Sequence, residues 1–205
     1  LIGSDVLTLD NKGSLGGAMT LNGTVKFANS GFESWSNSDY IARDLGEPFL
    51  TDNSFTIFTT VNIADISNIK EKFCMSLRGD EPNRIQNQWK NLNGYIYWVE
   101  HNGIVSGITK PQSIGTVITY ALSYDVNQNK VIMMFIDGTD ASGLLGVNFN
   151  NILNAELNLL ALDPNIYGSS MLANNPLHEF RLYDIAMSFE QMQTLQTELN
   201  NKYTP

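Results

Sequence analysis

An all-β fold, two antiparallel sheets packed as a sandwich and closed by a short C-terminal helix, is what the sequence predicts, and three observations predict it. Apolar and polar residues alternate with period two over several segments bounded by turn residues, most clearly Phe55, Ile57, Val61 and Ile63 against Thr56, Thr60 and Asn62. Asn occupies 24 positions and Gly 16, a composition suited to turns and ill suited to a helical protein. The period changes once, near the end. Phe180 and Leu182 alternate with Glu179, Arg181 and Tyr183; then Ser188 and Gln191 have capping-box spacing, and Phe189, Met192, Leu195 and Leu199 recur at helical intervals. Leu177 to Tyr203 therefore reads as a strand, a tight corner and a helix of about three turns.

At 205 residues and 42% hydrophobic, the chain can bury one sizeable core, and residues 1–205 are expected to form a single domain. Its first residue is Leu, as expected of a piece of a longer protein. A net charge of -9 with 12 scattered Lys and Arg argues against nucleic acid or an anionic membrane as partner, since both need a concentrated positive field. No apolar run approaches membrane-spanning length. Cys74 is the single cysteine, so no internal disulfide forms; among Phe73, Met75 and Leu77 it reads as a small core residue rather than a nucleophile.

Taken in order, Val6 to Leu9 is an edge strand, followed by a Gly-rich corner and short strands at Met19 to Leu21 and Thr24 to Phe27. Phe32 to Tyr40 is aromatic and polar at once. Strands are expected at Phe55 to Ile63, Lys72 to Arg78 and Gly94 to Glu100. Between the last two, Gly79 to Asn93 is expected to be a polar loop holding Asp80, Pro82, Arg84 and Trp89, longer than a hairpin needs. Thr116 to Asp125 carries Ile118, Tyr120, Leu122 and Tyr124 on one face, then a polar turn, then Val131 to Asp137, apolar on both faces. That strand must be central and covered on its outer side, with the closing helix the candidate cover. Leu157 to Leu162 is a further buried strand before a loop, Asp163 to Pro176.

Two stretches carry a family resemblance. Arg181, Leu182, Tyr183, Asp184, Ala186 and Ser188 match the strand end, small residue and helix cap that close concanavalin A-like lectin and laminin G-like domains; Leu177, His178 and Glu179 replace the family's usual Gly-x-Ile/Leu ahead of that strand. Leu122 to Gly138 resembles the same family's hairpin, a strand ending in Tyr-Asp, a polar turn and a strand ending in Asp-Gly. The resemblance implies a two-sheet antiparallel jelly-roll sandwich that binds at loop ends or across its concave sheet. The retaining glucanases of this architecture carry two Glu flanking an Asp on one strand, and no such spacing occurs here.

Other chemistry is equally unsupported. There is no Gly-x-Ser-x-Gly elbow, and His101 and His178 are far apart, with His178 read as structural. Asp125, Asn127 and Asn129 reproduce three oxygen positions of a calcium loop, but Lys130 and Ile136 stand where its Gly and Glu belong, so a plain hairpin turn and no metal or cofactor is expected; some relatives bind calcium at loop ends, which leaves Asp163 or Asn165 open. Arg78-Gly79-Asp80 and Asn22-Gly23-Thr24 are three-residue matches of the kind that arise by chance.

What remains is a surface for polyols, where an aromatic ring stacks on a sugar and amides, carboxylates and guanidiniums hold its hydroxyls. Arg84 to His101 concentrates these types. The carbohydrate-binding candidates are Trp89, Tyr97, Tyr95, Arg84, Asp80, His101 and, in an earlier loop, Trp35, with Tyr95 and Tyr97 outward and Ile96 and Trp98 in the core. The expectation is a non-catalytic carbohydrate-binding module for a cell-surface or cell-wall polysaccharide or oligosaccharide. The Asn-rich, acidic, Cys-poor character resembles binding domains of phage baseplate and tail proteins, which implies host adsorption, a virion-surface or bacterial extracellular location, and compatibility with an oligomeric parent. A structural or adhesion module binding protein is the alternative, and a glycoside hydrolase ranks below both.

Overall fold

The computed structural model describes residues 8–10, 18–28, 31–33, 39–46, 53–62, 71–79, 84–90, 94–101, 104–110, 115–134, 140–145, 155–163, 168–169 and 176–204; of 8–10, 26–28, 33, 46, 71–74, 87–90, 94–101, 104–110, 132–134, 140–145, 161–163 and 168–169 the backbone alone is described. The first sheet runs edge to edge through β1 (Thr8–Asp10), β2 (Ala18–Asn22), β5 (Tyr40–Gly46), β14 (Ala155–Leu159), β7 (Glu71–Arg78), β8 (Arg84–Lys90), β9 (Gly94–His101) and β10 (Ile104–Lys110). The second runs through β13 (Asp140–Leu145), β12 (Lys130–Met134), β11 (Val117–Asp125), β6 (Phe55–Asn62), β17 (Leu177–Tyr183), β4 (Gly31–Glu33) and β3 (Lys26–Ala28). A short ladder of β15 (Ala161–Asp163) and β16 (Gly168–Ser169) follows, and one helix, α1 (Phe189–Tyr203), ends the chain. This is the antiparallel β-sandwich with a closing helix that the periodicities predict.

Alternation decides which side of each sheet is dry. Phe55, Ile57 and Val61 of β6 stand opposite Tyr124, Leu122 and Ile118 of β11. Leu159 of β14 lies between Ile41 and Met75, and Leu77 of β7 lies between Leu157 and Ile85. All of these are buried in one cluster between the sheets, and each contributes about 1.5–3 kcal/mol by leaving water. At the sandwich edge β4 passes so close to 176–177 that a Cβ on Gly31 would lie 2.6 Å from Pro176 Cβ and 2.8 Å from the Leu177 carbonyl oxygen, so glycine is required there.

The second sheet has no wet face at its centre. Thr56, Phe58 and Thr60 are as buried as Phe55, because α1 lies over them. Thr119, Ala121 and Ser123 of β11 form a small-residue track under the helix. Phe58 and Ala121 pack against Met187, Met192 and Leu199, and Tyr183 meets Phe58 edge-on at 6.0 Å. The cover therefore lies chiefly over β11, with lesser contact to β12 and β6. The Val131 strand, expected to be central, is interior between β13 and β11, while β6 holds the middle.

Polar contacts fix the helix. Ser188 and Gln191 form the capping box, the Met187 N–H donates to Thr56 Oγ1 (3.0 Å) and Ser123 Oγ (2.9 Å), and Gln196 Nε2 donates to the Thr119 carbonyl (2.7 Å). At its far end Glu179 Oε2 accepts from Lys202 Nζ (2.6 Å) and Tyr203 OH (2.7 Å), while Glu179 Oε1 pairs with Arg181. His178 stacks on Tyr203 at 4.9 Å, the structural role expected of it.

Burial alone would raise the Glu179 carboxyl, but hydrogen bonds from Lys202, Tyr203 and Arg181 outweigh it and hold its pKa below the ordinary glutamate value. A carboxyl depressed on folding contributes stability that is complete above its unfolded pKa, about 4.3, and lost as pH falls through the lower folded value. Melting temperatures taken from neutral to acidic pH should show wild type losing stability along this limb and Glu179→Gln starting lower and falling less. Parallel curves would show that this network is not coupled to folding.

Several expected loops contain strands. Gly79 to Asn93, expected as a loop, holds β8, so Arg84 and Trp89 lie on a strand, and Asp163 to Pro176 holds β16; β13 was not expected. Hydrophobic periodicity fails in RIQNQWK because β8 is an inner strand with Asn87 opposite Met75 and Tyr97, and Ile85 alone marks its core set between Arg84 and Asn87. β10 went unassigned, its apolar alternation broken at Ser106 and Gly107. The Val126 to Asn129 turn is as expected: Asp125 Oδ1 accepts from the Asn127 N–H at 2.9 Å, and Asn129 takes φ 47°.

Candidate functional site

The residues that do not enter the core of the first sheet form its outer face. Since Leu21, Ile41, Leu157, Leu159, Met75, Leu77 and Ile85 point inward, the alternate positions Thr20, Asn22, Tyr40, Ala42, Asp44, Glu156, Asn158, Ser76, Arg78, Arg84 and Gln86 point away from it. Register sorts them into rows crossing the strands. One row runs Thr20, Ala42, Asn158, Ser76, Gln86; the next runs Asp44, Glu156, Arg78, Arg84.

Over β2, β5 and β14 this face sinks into a groove of about 480 Å3, lined by Thr20, Asn22, Tyr40, Ala42, Asp44 and Glu156 among others. Local structure positions its upper end. Gly23 turns the chain after β2 at φ 67°, and the next N–H, of Thr24, donates at 2.7 Å to Oδ1 of Asp39, a carboxylate only 2% exposed. That bond ties the turn to the residue preceding Tyr40. On β14, fully buried Asn158 donates from Nδ2 to Glu156 Oε1 at 2.7 Å and so orients that carboxylate along its strand, while its own Oδ1 has no hydrogen-bond partner among the described residues. β14 ends at Leu160, buried and held at φ 66°, a backbone region L-residues adopt only under constraint.

The lining is hydroxyl, amide, carboxylate, the Arg43 guanidinium and one phenol ring, with polar and apolar surface in about equal parts. Electrostatically the charged row is graded: carboxylates at Asp44 and Glu156, then guanidiniums at Arg78 and Arg84. Asp44 is exposed, and Glu156, Arg78 and Arg84 are half-buried. Among the described residues no three His, Cys, Asp or Glu are grouped closely enough to hold a metal ion.

Of the residues expected from sequence, Arg84 lies on this face. Trp89 stands opposite Tyr95, Tyr97 opposite Asn87, and His101 opposite Ile104, on strand backbones whose side chains are not described; Trp35 and Asp80 lie outside the described residues. Register places Trp98 opposite Gln86 and Ile96 opposite Gln88. Thr20, Asn22, Tyr40, Asp44 and Glu156 were not anticipated. Their signal is present in β2 and β5, where polar residues alternate with Leu21 and Ile41, but the pairing with β14 that assembles them is long-range.

No protein-family model and no curated protein matches the chain. Among solved structures it is similar to the binding domain of botulinum neurotoxin DC in complex with rat synaptotagmin II (11% identity, TM-score 0.68, 96% of this chain and 52% of that one). It is likewise similar to a botulinum neurotoxin type C structure whose cell entry is described as dependent on two ganglioside molecules (10%, 0.67, 97% and 50%). The NanB sialidase of Streptococcus pneumoniae, as its K499G mutant, matches over 79% of this chain and 27% of its own (14%, 0.56). These likenesses show a shared β-sandwich fold. The chain spans about half the length of the neurotoxin domains.

Proposed function

We propose that this chain is a non-catalytic carbohydrate-binding module whose contact surface is the groove on the outer face of the first sheet, and that it recognises a cell-surface or cell-wall polysaccharide. The carrying observation is the groove's lining: a sugar offers a C–H face for the Tyr40 ring and hydroxyls for Asn22, Thr20, Asp44 and Glu156. The neighbours support this in kind, since one is described with gangliosides and another is in complex with SialylT, although those ligands belong to proteins about twice this length. Adhesion on a virion tail or a bacterial exterior fits the acidic, Asn-rich composition.

Catalysis fits the groove poorly. Asp44 and Glu156 face each other across the ladder, but Glu156 accepts from Asn158 and has Arg78 as its other register neighbour. Its oxygens are thus oriented by neighbouring donors on its own face, an arrangement suited to holding hydroxyls. A protein partner is the second reading, favoured by the synaptotagmin complex of one neighbour.

A glycan array followed by titration tests the proposal. Tyr40→Ala should weaken binding by about five- to a hundredfold, the ~1–3 kcal/mol of a lost ring contact and its neighbours, without shifting the melting temperature. Binding to no glycan, with capture of a protein ligand instead, would transfer the function to the second reading.

A further inference from the structure

Arg78 and Arg84 are directly opposite one another on β7 and β8, both half-buried, in a chain with only 12 Lys and Arg against 21 Asp and Glu. Like charges opposed across an antiparallel pair repel and destabilise it, so their juxtaposition needs negative charge close by. In register, Glu156 adjoins Arg78 and Glu100 adjoins Arg84, which makes the pair the positive centre of a row that begins with Asp44 and Glu156 in the groove. We propose, building on the carbohydrate reading, that the ligand is an anionic glycan: a neutral ring lies in the groove against Tyr40, Asp44 and Glu156, and a carboxylate or phosphate group farther along the chain seats on Arg78 and Arg84.

Charge fixes the direction. An anion in the groove would meet Asp44 and Glu156 with Arg43 as the one guanidinium of the lining, whereas farther along the row it meets two guanidiniums able to hold it by charge-assisted, bidentate hydrogen bonds. With strands about 4.8 Å apart, the groove and the arginine pair are about 10–15 Å from one another, so the ligand must be longer than a single sugar. Among the described residues, the side of the groove away from the arginine pair offers no comparable pair of cations: β2 carries Ala18, Thr20 and Asn22 on this face.

The test is titration of the 205-residue chain with acid and neutral partners of the same glycan: 3′-sialyllactose with lactose, and trigalacturonate with its methyl ester, plus poly(glycerol phosphate) to separate phosphate from carboxylate. At least one anionic probe should bind about tenfold or more tighter than its neutral counterpart, equivalent to ~1.4 kcal/mol, and the preference should shrink with added salt. Arg84→Gln and Arg78→Gln should bring the acid-to-neutral ratio to about one, and Arg84→Lys should restore part of it, with melting temperatures confirming that each variant is folded. Neutral glycans bound as tightly as acidic ones, or a preference that survives both Arg→Gln substitutions, would overturn this inference and leave the carbohydrate reading standing. Binding of no glycan of either kind would remove both.

Discussion

A chain ended after Ala186 should fail to fold cooperatively. The truncation removes Met187, Met192 and Leu199, each buried against the second sheet, and at about 1.5–3 kcal/mol apiece their burial contributes ~5–9 kcal/mol, comparable with the whole 5–15 kcal/mol margin of an ordinary domain. It also uncovers Phe58 and Ala121 and strips partners from Thr56, Ser123, the Thr119 carbonyl and Glu179. A polar group left buried without its partner costs more than the hydrogen bond was worth. Urea or thermal unfolding of the truncated protein should show no cooperative transition, or one at greatly reduced midpoint. A melt within a few degrees of the intact chain would mean that α1 is an appendage rather than a layer of the core.

The helix layer was legible in the sequence because its signals are local. The alternation of Glu179 to Tyr183 and the capping pair Ser188 and Gln191 lie within a few residues of each other, and the structure places each as read. The central ladder was legible too, since Phe55 to Val61 and Ile118 to Tyr124 are apolar at every second position or nearly so, with only Thr59 breaking the set. The site was not, for a physical reason. A binding face is polar on the side that meets ligand, and in RIQNQWK only Ile85 and Trp89 are apolar, too few for periodicity to detect; hence β8 read as a loop and Arg84 as a loop residue. The groove is also made by strands distant in sequence, with β14 lying between β5 and β7. Aromatic density drew attention to Arg84 to His101, on β8 and β9, whereas the groove lies over β2, β5 and β14.

Filling the groove tests the central claim most directly. Ala42 sits at its floor, between Thr20 and Asn158 in register, half-buried and on the outer face of β5. Ala42→Trp places an indole where the sugar ring would lie, while Ile41 and the core behind it keep their contacts. Binding measured by titration with the best glycan from the array should fall about a hundredfold or more, at least ~2.7 kcal/mol, with the melting temperature nearly unchanged. The same substitution at Asn201, exposed on α1 across the molecule, should leave binding intact. Wild-type affinity in Ala42→Trp, or its loss in Asn201→Trp, would contradict the assignment of this face as the glycan site.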